Sequence, residues 1–180
     1  MKGNGNGFAT LYRKLYFALL PTAGMRSKYI RKHQKLFHHC NGNGLLWQSR
    51  NFPADPEYIS IGENVRISSK VIFINHDTIA GMLNYKDKVQ TFCSNTGCIE
   101  IGNNVCIGTG VIILPNVRIG SNVIIGAGAI VSKDIPDNSV VAGVPAKVIG
   151  SFDDPVEKRK ALTPQKDVAE AWEKFAKDRD

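Results

Sequence analysis

One histidine stands apart from the other three. His33, His38 and His39 lie among basic residues near the N-terminus, whereas His76 sits in the run FINHDT, at the end of an aliphatic stretch and the start of an irregular one. Imidazole is the side chain best suited to take a proton near neutral pH. A histidine at a strand end beside a loop suits a pre-organised general base, although a polar corner histidine taken alone is more often structural. Asp77 follows it directly. Adjacent residues on a strand point to opposite faces, so Asp77 is as apt to meet a substrate as to orient the ring. Cys40, Cys93, Cys98 and Cys106 match no zinc spacing, and the arm histidines lack a fourth partner. The cysteines are read as free thiols in a reducing compartment, and no metal is required.

The elements that must hold His76 are legible as a repeat of six. Residues 101–136 divide into IGNNVC, IGTGVI, ILPNVR, IGSNVI, IGAGAI and VSKDIP. Position one reads Ile101, Ile107, Ile113, Ile119, Ile125, Val131; position five reads Val105, Val111, Val117, Val123, Ala129, Ile135. Six residues are too few for a helical unit and suit a short strand with a corner. Branched aliphatics at the inward positions favour a buried pleated surface. One unit cannot bury its own face, so units must stack into a solenoid. The glycines at position two are expected to supply positive-φ corners, and Cys106, at position six, is expected at a corner. The same register begins earlier with IGENVR, ISSKVI and FINHDT, but Ile61 and Ile101 are 40 residues apart, which is not a multiple of six. A loop of about residues 78–98 must leave the scaffold, and such loops commonly carry function.

The charge is segregated. The chain carries a net +7, yet residues 1–50 hold nine Lys or Arg and no acid. Residues 1–7 read as disordered. Residues 8–20 and 26–39 read as amphipathic and basic helices, and residues 154–180 as a charged C-terminal helix. The organisation is therefore a basic helical arm (1–50), a β domain (51–150) and a C-terminal helix (151–180). The arm is expected to cap the open end of the solenoid; a second role is peripheral attraction to an anionic membrane or a lipid-linked sugar. No basic motif interleaved with aromatics points to nucleic acid. No run suits a membrane span or a signal peptide.

With its hexads, its IGNNV coil and a His–Asp pair ahead of the loop, the chain resembles the hexapeptide-repeat acyltransferases over residues 59–149. Within them it is most similar to sugar, capsular-polysaccharide and lipopolysaccharide O-acetyltransferases of the maltose–galactoside type. The resemblance implies a mainly β, left-handed parallel β-helix with three hexads to a coil. It implies a cytoplasmic, trimeric enzyme, possible peripheral contact with the membrane aside, that moves an acetyl group from acetyl-CoA to a saccharide hydroxyl. His76 becomes the catalytic base. Thr109, Ala127, Ser132, Lys133, Ala142, Gly143 and Lys147 match the acetyl-CoA positions, with Lys133 and Lys147 placed for nucleotide phosphates. Asn75, Asp77, Asn51 and Tyr85 are the candidate acceptor contacts. Cys106 stands where the maltose type usually has tryptophan, which puts an aromatic wall of the coenzyme channel in doubt. Alternatives on the same scaffold are N-acetylation of an amino-sugar nucleotide, a serine acetyltransferase-like enzyme without its long helical N-terminal domain, and a non-catalytic scaffold. A γ-type carbonic anhydrase would need three solenoid histidines.

Overall fold

In the computed structural model, residues 7–160, 162 and 167–177 are described; residues 1–6, where disorder is expected, fall outside them. Two helices open the chain, α1 (Gly7–Leu19) and α2 (Ala23–Lys32). Thr22 ends the gap between them: its hydroxyl accepts the Met25 N–H at 3.2 Å and caps α2. Then come β1 (His39–Cys40), β2 (Leu46–Trp47), β3 (Ile59–Ile61), β4 (Arg66–Ile67), β5 (Ile72–Phe73) and helix α3 (Ile79–Asp87). The repeat proper supplies β6 (Ile99–Ile101), β7 (Val105–Ile107), β8 (Ile112–Ile113), β9 (Val117–Ile119), β10 (Val123–Ile125) and β11 (Ile130–Val131). The chain closes with β12 (Ser139–Ala142), β13 (Lys147–Ser151), α4 (Asp153–Lys160) and α5 (Val168–Lys177). The expected single C-terminal helix is thus two.

The strands form three parallel faces of one β-helix. Their orders are β1-β3-β6-β9, β2-β4-β7-β10-β12-β13 and β5-β8-β11, parallel throughout except for β13. Ile101 pairs with Ile119, Ile107 with Ile125 and Ile113 with Val131, so three hexads make one coil. All six position-one residues are at most 2% exposed. Each such burial contributes roughly 1.5–3 kcal/mol, and the stacked column forms the core. The ladders begin at His39, within the 1–50 arm: His39 pairs with Ser60, and Leu46 with Arg66. The second helix stops at Lys32 instead of reaching His39: a 3₁₀ turn follows at Gln34–Leu36, and the backbone at 39–40 is taken into the first face. Above that first coil, Phe17, Ile30 and Trp47 are fully buried, and Trp47 N–H donates to Ser27 Oγ at 2.8 Å.

The corners correct one expectation. Positive φ belongs to position four of the hexad, at Asn104 (55°), Gly110 (72°), Asn116 (60°), Asn122 (55°) and Gly128 (72°), and not to the position-two glycines. Position two needs glycine for a different reason. A Cβ on Gly108 would lie 2.6 Å from Ala127 N, and one on Gly102 would lie 2.8 Å from the Gly120 carbonyl carbon. The coils approach so closely there that no side chain fits. At the first corner asparagines hydrogen-bond in series: Asn64 Nδ2 donates to Asn104 Oδ1 (3.0 Å), Asn104 to Asn122 (3.0 Å) and Asn122 to Asn138 (2.8 Å), the last step being two residues short because Ile135, expected at position five, bridges Ile119 and takes position one. Cys106 is also not at a corner. It is exposed at the middle of β7, paired with Arg66 and Ile124.

These two glycine roles separate experimentally. Gly108→Ala should destabilise by about 3 kcal/mol, the upper end for overpacking against a backbone that cannot give. Gly110→Ala meets open space and should cost only about 1 kcal/mol for its left-handed backbone. Urea denaturation of the two variants reads the difference.

Candidate active site

The third face of the β-helix positions His76. β5 is bonded to the next coil through Ile72 N–H to Val111 O and Ile74 N–H to Ile113 O, both at 2.9 Å. One residue later the chain departs. In the next coil Ile113 leads to Val117 across four residues; in this coil Phe73 leads to Ile99 across 26, an insertion of 22. The neck of the insertion is tied. Gly97 N–H donates to Asn75 O at 2.7 Å, Asn75 Nδ2 donates to Gly97 O at 3.2 Å, and His76 bridges Thr96 in antiparallel fashion. His76 therefore stands on backbone anchored from both sides.

The ring meets a carboxylate. His76 Nδ1 lies 2.6 Å from Asp55 Oδ2, with the histidine side chain 44% and the aspartate 29% exposed. Asp55 is the first acidic residue in the chain. It lies between Pro53 and Pro56, both buried, and its carbonyl accepts from Tyr58 N–H at 3.2 Å as Pro56 opens a single 3₁₀ turn. Proline fixes φ on either side and holds the carboxylate in place. With Nδ1–H donated to Asp55, Nε2 is left as the acceptor on the exposed side of the ring. Ala54, next in chain to Asp55, lines a cavity of about 480 Å³ together with Lys14, Arg50, Asn51, Ile72 and Phe73.

The structure sorts the other candidate residues. Asn75 is 3% exposed, and its Oδ1 is buried without a hydrogen-bond partner. Asp77 does not orient His76: its Oδ1 accepts Ile79 N–H at 3.0 Å at the start of α3. Tyr85, on α3, is 89% exposed. Asn51 lines the cavity, and its Nδ2 donates to Val71 O at 3.3 Å. Thr109, Ala127, Ala142 and Gly143 stack along the corner that follows the second face: Gly128 N–H donates to Thr109 O at 2.8 Å and Ile130 N–H to Gly143 O at 3.1 Å. Lys147, on β13, pairs with Ala142 at the same corner. Ser132 and Lys133 do not join them. They follow β11 on the third face, at the corner where His76 also lies. Asp55 is the residue that the spacing did not reveal. Its one signal is an acid between two prolines, the first after more than fifty residues without one.

Residues 98–133 match the family model described as bacterial transferase hexapeptide (six repeats). The chain is 50% identical over 102 residues to protein CapG of Staphylococcus aureus, covering 57% of this chain and 58% of that one. It is 43% identical over 101 residues to galactoside O-acetyltransferase of Escherichia coli (strain K12), covering 56% and 47%. The chain thus spans about half the length of these curated relatives. A solved galactoside acetyltransferase in complex with coenzyme A superimposes with a TM-score of 0.61 at 27% identity, covering 89% of this chain and 85% of that one. The resemblance to hexapeptide-repeat acetyltransferases is borne out by sequence and by fold.

The Asp55 contact makes a spectroscopic prediction. In ¹⁵N NMR, neutral His76 should hold its proton on Nδ1. Asp55→Ala should move it towards the Nε2–H tautomer that free imidazole prefers. An unchanged tautomer in the variant would show that the contact does not set it.

Proposed function

We propose that this chain transfers an acetyl group from acetyl-CoA to a saccharide hydroxyl, with His76 as general base. The observation that carries the reading is the His76–Asp55 pair at the neck of the insertion, on a hexapeptide-repeat β-helix. The names of the relatives support the transferred group and the sugar acceptor. On this reading the helix winds left-handed and the enzyme acts in the cytoplasm.

Asp55 holds the Nδ1 proton, and His76 Nε2 takes the proton of the acceptor hydroxyl as its oxygen attacks the thioester carbonyl. The carbon–sulfur bond then breaks, and the imidazolium returns its proton to the departing thiolate. General base catalysis of this kind supplies roughly 10²–10⁴-fold, and alignment of the two substrates supplies much of the remainder. Asn75, whose Oδ1 is buried, serves the base by tying the neck to Gly97 instead of meeting the sugar; Asp77, Asn51 and Tyr85 are the acceptor contacts.

For acetyl-CoA the chain offers a ledge of small residues. Thr109 and Ala127 are exposed one coil apart, and nothing lies within 4 Å of where a Cβ would project from Gly110 or Gly128. Ala142, Gly143 and Lys147 extend the ledge, with Lys147 able to meet a phosphate. This ledge runs along one corner of the prism and His76 along another, so a single chain does not bring base and thioester together. A three-fold ring, in which the His76 corner of one chain faces the ledge of the next, resolves this. Ser132 and Lys133, on the His76 corner, would then approach the coenzyme from the opposite side.

Thiol release from acetyl-CoA in the presence of a sugar panel tests the proposal. His76→Ala should lower kcat at least 100-fold and Asp55→Ala about tenfold. Ala127→Trp should raise KM for acetyl-CoA with little effect on the fold. Turnover unchanged in His76→Ala would remove the reading, and activity on amino-sugar nucleotides alone would move the acceptor from hydroxyl to amine.

A further inference from the structure

Helix α1 is built the wrong way round for a helix in water. Among its described side chains the one fully buried in the core is Phe17, while Tyr16 packs at its edge against Tyr29. The face turned away from the core carries Leu11 (64% exposed), Leu15 (58%) and Leu19 (68%) at successive turns, with Tyr12 (64%) and Tyr16 (46%) beside them. A surface helix normally puts charge on that side. Here the cations Arg13 and Lys14 are half-buried on the flanks, and the outward face has none. A contiguous apolar face of this kind marks an interaction surface.

We propose that α1 lies flat on an anionic membrane surface, with Leu11, Leu15 and Leu19 among the acyl chains and Tyr12 and Tyr16 at headgroup depth. Charge selects this occupant. Residues 1–50 contain nine Lys or Arg and no acid, and Lys28 and Lys32 of α2 face Tyr12, Arg13 and Tyr16 across a cleft of about 730 Å³. Two copies meeting through this face would bring like charges together with no carboxylate in either arm to answer them. A bilayer of anionic lipid supplies both the apolar layer and the counter-charge. Length agrees: 13 residues of helix span ~20 Å, short of a hydrocarbon core of ~30 Å. No helix among the described residues is long and apolar enough to cross a membrane. Lys14 and Ala18 of α1 also line the cavity beside Asp55, so docking would hold that cavity at the bilayer surface. The proposal does not depend on the acetyl-transfer reading.

Co-sedimentation of the full chain tests it, with vesicles of phosphatidylcholine alone and of phosphatidylcholine with roughly one third phosphatidylglycerol. The wild-type chain should partition at least tenfold more onto the anionic vesicles. Leu11→Gln/Leu15→Gln/Leu19→Gln should lose at least tenfold of that binding with an unchanged melting curve, since these side chains lie outside the core. Lys28→Glu/Lys32→Glu, two exposed positions, should lose the anionic preference independently of α1 packing. Absence of wild-type binding, equal binding by the leucine variant, or no preference for anionic lipid would each overturn the proposal. So would a fall in molar mass by light scattering in the leucine variant without a change in vesicle binding, which would assign the face to contacts between copies.

Discussion

The distance between successive coils is the constraint on which everything else rests. Where Gly108 faces Ala127 and Gly102 faces Gly120, backbone meets backbone with no room for a side chain. That contact sets a common pitch for all three faces, and the pitch determines which residues stack. The isoleucine column, the asparagine series and the ledge of small residues are each the outcome of one repeat wound at a constant spacing. A corner that could stretch or tilt would lose the alignment of all of them together.

Rigidity of this kind also bears on how His76 is held. His76 is not in the repeat proper but at the point where the chain leaves it for the insertion. The β-helix supplies a fixed strand end, and the insertion supplies a backbone bridge at Thr96 to hold His76 from the other side. Asp55 arrives from a different part of the chain, carried by a proline-bounded turn instead of a coil. A pair assembled from two irregular segments on an unyielding support can be precise without the segments themselves being regular.

What the sequence made legible follows from the same division. Hydrophobic periodicity revealed the coils, and the failure of that periodicity located His76. A hexad marks its glycines as corner residues and suggests φ as their role, whereas the role belongs to coil-to-coil contact; adjacency along the stack is a tertiary fact that a single hexad does not contain. Cys106 was misplaced for a related reason, because position six lies within a three-residue strand. Asp55 has no repeat partner, and its approach to His76 over 21 residues depends on how the chain turns at Pro53 and Pro56. The first strands, two residues each, are too short to show a period, and so the arm was read as helix as far as His39.

A parallel stack has two open ends, and the C-terminal one is finished by β13, which runs antiparallel to β12 with a shift in pairing at Val140–Val141. A further coil, from this chain or another, could be added only in the parallel sense that the repeat propagates. The reversal therefore acts as a terminator on the second face, where β13 occupies the edge of β12 that a further parallel strand would need. A solenoid that could have become a fibre thus carries a stop on its longest face.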